Sequence, residues 1–291
     1  MKAPLVLTFT LLISGLLFSQ PVPIWSSSIS SNFSWYIYDK PILKFDNLGD
    51  IILVGNISGT SNKDMLVVKY SPSGNILWQR TYNNVYDNDD IAIDFDIDKM
   101  NNILIIGKTV TDSSKSDGIL VKYNTSGDLM WQNTYNGVAR KDDAFNAISL
   151  TSEGTSLITG FSSTDTLNHQ KLLITKIDSS GNTIWTTTYS TDSLASFNGE
   201  KIKVSNNSIK VLGSMYRNGP SQVKFLLLRL DTNGTITFSN ETITDRPGSC
   251  FYQDNIGNAY IGYGVWERFK ISKIDSSGNL LWSDTYVSEL P

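Results

Sequence analysis

The feature that most limits what this chain can become is a fourteen-residue phrase written five times. It reads KYSPSGNILWQRTY from Lys69, KYNTSGDLMWQNTY from Lys122, KIDSSGNTIWTTTY from Lys176, RLDTNGTITFSNET from Arg229 and KIDSSGNLLWSDTY from Lys273. Its glycines, Gly74, Gly127, Gly181, Gly234 and Gly278, are 53, 54, 53 and 44 residues apart. Self-similarity at that period means stacked modules, each burying its apolar faces against its neighbours. What every module shares is scaffold first, so function is to be sought where the modules differ.

Between the phrases lies a second pattern: DNLGDIILVG at 46–55, DKMNNILIIG at 98–107, TSEGTSLITG at 151–160, SNNSIKVLG at 205–213 and DNIGNAYIG at 254–262. Each is a polar turn followed by a short apolar strand ending at glycine, and Asp, Asn and Gly are the residues such turns favour. Module two then divides into four extended segments, Ile91–Asp98, Asn102–Lys108, Gly118–Tyr123 and Leu129–Tyr135. The first of these alternates apolar and polar, as a half-covered strand does. The third is a continuous β-rich run, as in a strand covered on both faces. No sustained helical period follows the N-terminal stretch. The fold class expected is all-β, a β-propeller of about five four-stranded blades. The modules run approximately over 31–82, 83–135, 136–189, 190–242 and 243–286 of one domain spanning 20–291.

The units resemble the bacterial and archaeal β-propeller repeat known as the SBBP repeat. Its pattern is roughly D-x-x-G-N-x-Y-x-x-G followed by K-x-x-x-x-G-x-x-x-W-x-x-x-Y. Residues 254–262 and 273–286 carry that pattern, and the resemblance extends over nearly the whole chain after residue 19. It implies an exported or surface-attached propeller and supplies no catalytic residue. Module four departs from it, with Phe238 in place of Trp and Glu241-Thr242 in place of Thr-Tyr.

The chain opens MKAPLVLTFTLLISGLLFSQ. A lysine, an apolar run of signal-peptide length and a small Ser19 predict a signal peptide over 1–19, hence a secreted or cell-surface protein with no integral span. Without those residues the charge is 23 − 28 = −5, too acidic for a nucleic-acid partner. The one cysteine, Cys250, cannot form an internal disulfide and is expected as a buried structural thiol. No cofactor is expected, and one His with one Cys gives zinc poor support.

Residues 24–30 (IWSSSIS) align with the fourth segment at 184–190 and predict an extra N-terminal strand. It leaves three options: an added edge strand, an incomplete six-blade ring, or pairing with a second chain. Five blades and a monomer are expected. Trp78, Trp131, Trp185 and Trp282, with Phe238 substituting, recur at one position and are expected to fill the wedge between sheets. The recurring Lys69, Lys122, Lys176, Arg229 and Lys273 are expected as solvated or locally paired charges.

Candidate ligand-binding residues come from the first segment of each module, which lines the axis of a propeller. Aligned there stand Ile42, Asp94, Ala147, Lys201 and Cys250, and two residues on, Lys44, Asp96, Ser149, Lys203 and Tyr252. Lys44, Asp94, Asp96, Lys201 and Lys203 are therefore the predicted site, either a polar pocket or internal charge compensation. Asp94 and Asp96 share a strand face about 7 Å apart, the separation of a glycosidase acid pair. Neighbouring lysines are expected to keep both ionised, against such chemistry; Glu200 is a further carboxylate. Asp87-Asn88-Asp89-Asp90 and Asp142-Asp143 resemble calcium loops only loosely and are expected as solvated turns, with no metal site. Asn32, Asn56, Asn124, Asn206, Asn233 and Asn240 head Asn-x-Ser/Thr triplets, glycan acceptors in a host with the machinery or, on the favoured reading, an accident of an Asn-, Ser- and Thr-rich chain. Tyr263 and Trp266 beside Arg268 could form a recognition edge. The function expected is a non-catalytic binding or adhesion module for a glycan or protein; the alternatives are a glycoside hydrolase using the axial carboxylates, or a structural surface component.

Overall fold

The computed structural model describes residues 7–10, 26–29, 41–58, 62–111, 115–164, 169–205, 208–217, 222–244, 250–254, 256, 258–265, 268–277 and 279–287. Every element among them is a strand. Five four-stranded antiparallel sheets follow one another along the chain, each with its strands in sequence order, as in a β-propeller. Blade 1 comprises Ile42–Phe45, Ile51–Ser58, Lys63–Tyr70 and Ile76–Tyr82, and blade 2 comprises Asp90–Ile97, Ile103–Val110, Ser116–Tyr123 and Leu129–Tyr135. Blade 3 is Asp143–Leu150, Ser156–Ser163, Gln170–Ile177 and Thr183–Tyr189. Blade 4 is Ala195–Ser205, Ser208–Arg217, Gln222–Leu230 and Ile236–Thr244, and blade 5 is Cys250–Gln253, Ala259–Val265, Arg268–Ile274 and Leu280–Val287.

Apolar pattern explains where each strand lies. In blades 1 and 2 the second and third strands are buried along nearly their whole length, while the fourth strands alternate between exposed and half-buried. Blades pack face to face. Ile52, Val54, Met65 and Val67 of blade 1 meet Phe95, Ile103, Ile105 and Val121 of blade 2. Leu104, Ile106 and Leu120 meet Phe145, Ile158 and Leu173 across the next seam. Blades 3 and 4 join through Leu172, Ile174, Phe197 and Val211, and blades 4 and 5 through Leu212, Phe225, Leu227 and Ile261. The other face of blade 1, with Ile51, Leu53, Leu66 and Val68, is buried as well. The fully buried wedge aromatics are thus Phe95, Phe145 and Phe197.

The tryptophans do something more specific than fill that wedge. Trp78 donates its indole N–H to Thr125 O of the next blade at 2.9 Å, Trp131 to Ser179 O at 3.2 Å, and Trp185 to Thr232 O at 3.1 Å. Each ring lies flat on the glycine of the following blade's turn. A Cβ added at Gly127, Gly181 or Gly234 would come within 2.7–2.9 Å of the preceding indole. Those glycines also have φ of +80°, +92° and +84°, a region costly for other residues. Two residues after each Trp, Arg80 Nε, Asn133 Nδ2 and Thr187 Oγ1 donate to the same glycine's carbonyl at 2.7, 2.8 and 2.8 Å. The recurring phrase is therefore a clasp between consecutive blades.

The recurring base ties a module's two patterns together. Lys69 Nζ lies 2.8 Å from Asp46 Oδ2 and 3.1 Å from Asp50 Oδ2, and Lys122 Nζ lies 3.1 Å from Asp98 Oδ2, all largely buried. Burial alone would raise Asp46, but Lys69 and the backbone N–H groups of Leu48 and Asp50 outweigh it and hold its pKa below the usual range. Where Thr151 replaces the turn acid, Lys176 instead donates to Thr232 O of the following blade.

The extra N-terminal strand lies apart from the blades. Ser26–Ile29 pairs antiparallel with Leu7–Thr10, inside the stretch predicted as a signal peptide, and joins none of the five blades.

Gly127→Ala and Gly154→Ala test the clasp together, since both positions have positive φ but only Gly127 faces an indole, Gly154 having nothing nearer than Ser179 Cβ at 3.9 Å. Gly154→Ala should cost about 1 kcal/mol and Gly127→Ala about 2–4 kcal/mol in denaturant unfolding. Equal losses would show that the indole contact adds nothing.

Candidate functional site

The first strand of each blade is a sheet edge, and an edge leaves alternate N–H and C=O groups without a ladder partner. Side chains of the preceding blade supply the partners. Asn56 exchanges two hydrogen bonds with Ala92, its Nδ2 donating to the carbonyl at 3.0 Å and its Oδ1 accepting from the N–H at 2.8 Å. Lys44 Nζ donates to Phe95 O. Asp94 Oδ2 accepts from Ile148 N at 3.3 Å, and Asp96 Oδ2 from Leu150 N at 3.2 Å. Asn146 Nδ2 donates to Gly199 O at 3.0 Å.

In blades 2, 3 and 4 a bulge falls beside these edge residues. Ile93, Asn146 and Glu200 each fall at a register shift between the first and second strands of blades 2, 3 and 4. An inserted residue bends the strand and redirects its side chains. Opposite stand the glycines that end the second pattern. A Cβ at Gly107 would lie 1.8 Å from Ile91 O, and one at Gly160 1.9 Å from Ala144 O. Close backbone approach therefore requires glycine there.

The five predicted residues come together. Lys44, Asp94, Asp96, Lys201 and Lys203 line one cavity of about 250 Å³ with Ala147, Ile148, Ser149, Ile202 and Tyr252, so all five blades contribute. Lys44 Nζ is 3.4 Å from Asp96 Oδ1 and 3.8 Å from Asp94 Oδ1. Lys201 and Lys203 are exposed, as is Tyr252.

The pKa of Asp94 is shifted against expectation. Burial pushes its pKa above the usual carboxylate range, and Lys44, two backbone N–H groups and Lys201 only partly offset that. Glu200 is likewise raised, by burial against a bond to Ser214 and the charge of Lys201, but it is not among the cavity's lining residues. Both oxygens of Asp94 and of Asp96 are engaged by protein groups: besides the blade 3 bonds, Phe95 N reaches Asp94 Oδ1 at 2.9 Å and Ile97 N reaches Asp96 Oδ1 at 3.1 Å. The pair is an inter-blade brace.

The acidic runs are only partly solvated, Asp87 being exposed. Asp90 and Asp143 are fully buried, accepting from Asn84 N and Gly137 N at 2.6 Å. Asp89 and Asp142 cap the third strand of the preceding blade through Lys63 N at 2.9 Å and Ser116 N at 3.0 Å. The two copies differ in compensation. Lys115 pairs with Asp142 at 3.8 Å, and Arg140 occupies the positive-φ position that Asp87 takes in the first copy. There the buried Asp64 is left with Oδ1 unbonded. Burial and the charges of Asp90, Asp87 and Asp89 raise its pKa. Among the described residues no three His, Cys, Asp or Glu side chains are placed to hold a metal ion.

Other expectations change with position. Cys250 is exposed, because it opens an edge strand and faces Gly262, which has no side chain to cover it. Asn56 is buried and fully used by Ala92, which removes it as a glycan acceptor in the folded state. Asn32, Asn206, Trp266 and the side chain of Tyr263 lie outside what the structure describes. A groove of about 770 Å³ between blades 1 and 2, lined by Arg80, Tyr82, Asn84, Tyr86 and Gln132 among others, is larger than the axial cavity. It draws on two blades only, so the axial cavity, where charges of several blades converge, is the stronger candidate.

No protein-family model and no curated protein matches the chain. Solved structures do. A subtype N10 neuraminidase-like protein of A/little yellow-shouldered bat/Guatemala/060/2010 superposes with a TM-score of 0.57 at 13% identity, over 87% of this chain and 83% of that one. A eukaryotic initiation factor gives 0.51 at 11% identity over 91% of this chain, which spans only 57% of that structure's length. Such likeness establishes the propeller fold and nothing of activity.

Asp64 yields a prediction with a definite sign. A carboxyl whose pKa is raised on folding gives stability that is present below its unfolded pKa and lost as pH rises through the folded one. Asp64→Asn should therefore stabilise the protein by about 1–2 kcal/mol at neutral pH, with the gain fading toward pH 4, in urea unfolding at several pH values. A destabilised variant at neutral pH would show that Asp64 has a partner.

Proposed function

We propose that the chain is an exported, non-catalytic β-propeller of the SBBP-repeat type that binds a glycan or protein ligand at its axial cavity. One observation carries the reading: among the described residues, the two carboxylates of the cavity are committed to backbone N–H groups of blade 3 and to Lys44, while lysines, a hydroxyl and a phenol from three blades also line it. A glycosidase acid must hand its proton to a leaving group and its partner must reach the sugar from the other side. Asp94 has the raised pKa of such an acid, but its oxygens face Ile148 N, Phe95 N and Lys44 instead of open space.

A glycan array with the purified protein tests binding, and an aryl-glycoside panel tests catalysis. Binding without turnover is expected. Asp94→Asn should reduce stability by about 1–3 kcal/mol, since its amide cannot accept on both sides as a carboxylate does. Turnover abolished by Asp94→Asn would replace this reading with a hydrolase.

A further inference from the structure

We infer that the axial cavity takes a monoanionic sugar, a single pyranose ring bearing one carboxylate, with the acid group seated between Lys201 and Lys203. The inference rests on the binding reading above and names its ligand class. Among the described residues three lysines and two aspartates line the cavity, and their formal charges sum to +1. Lys44 is spent on Asp94, Asp96 and Phe95 O. The surplus cation is therefore on blade 4, where Lys201 and Lys203 stand two apart on one strand and are exposed. Residues two apart on a strand project to one side about 7 Å from each other, a span that one carboxylate placed between two ammonium groups can bridge. A dianionic phosphate would overshoot the available charge.

The rest of the lining suits a ring. Tyr252, from blade 5, is 65% exposed and presents an aromatic surface of the kind that carries the C–H face of a sugar. Ser149 of blade 3 adds a hydroxyl that can donate or accept. At about 250 Å³ the space falls just under the 300–1,000 Å³ of sites for drug-sized ligands, which suits one ring and not a chain of them. A terminal sugar acid fits this description.

Calorimetric titration of the full chain with glucuronate, glucose and inorganic sulfate tests the inference. Glucuronate should bind, glucose and sulfate at least about tenfold more weakly, and added salt should weaken glucuronate. Lys201→Gln with Lys203→Gln should reduce glucuronate affinity about tenfold or more with unfolding unchanged, whereas Lys171→Gln, outside the cavity, should not. Glucose binding as tightly as glucuronate, or a double variant of unaltered affinity, would overturn the sugar acid. Should neutral glycans bind on the array and lose that binding in Tyr252→Ala, the binding module stands and the anion falls. No binding by any glycan or titrant overturns the sugar acid and, with it, the glycan arm of the binding reading.

Discussion

Blades 1, 2 and 3 are each fastened to the next by an indole lying on a glycine. Trp78, Trp131 and Trp185 cover Gly127, Gly181 and Gly234 and donate to the carbonyl two residues before each. The contact joins residues about 50 apart in sequence, yet each member sits in a phrase that is itself local. That solves a problem common to repeat architectures, in which a module cannot bury its own faces and must recognise a neighbour nearly identical to itself. With the turn glycine held in positive φ and covered by a ring, the blade-to-blade angle is set at the rim. The apolar strands behind it then meet in register and close the seams around Phe95, Phe145 and Phe197.

A second constraint acts at the axis. Innermost strands have a free edge, and burying it with unpaired amides would cost about 1–3 kcal/mol for each group. The chain answers with side chains of whichever type suits the orphan: carboxylates for Ile148 and Leu150 N–H, an ammonium for Phe95 C=O, an amide where both a donor and an acceptor need a partner. Because the need differs from blade to blade, these positions vary even though their task is one and the same.

That difference accounts for what could be seen in the sequence. The repeated phrase, its turns and its strand runs made the five four-stranded blades legible, and Leu129–Tyr135 is bounded as its residues suggest. The alignment of first segments also brought Lys44, Asp94, Asp96, Lys201 and Lys203 together. Hidden were effects that depend on a partner far along the chain. Nothing around Asp94 announces that Ile148 N–H will be waiting, so lysines were expected to govern its pKa where burial does. Glycines 107 and 160 look like strand ends; only the bulge opposite shows why a side chain cannot stand there. Cys250 was expected in a core, but a sheet edge facing glycine leaves it open.

Variation among repeats is therefore an incomplete pointer to function. The positions that differ fall into two sets once their partners are known. Asn56, Lys44, Asp94, Asp96 and Asn146 vary because each completes the edge of a particular neighbour. Ser149, Lys201, Lys203 and Tyr252 vary and line the same cavity without serving any of these edge bonds. Lys201 tempers the burial of Asp94 and Glu200, but an exposed strand charge contributes little to stability. Residues of that second set are where a ligand's chemistry has room to act.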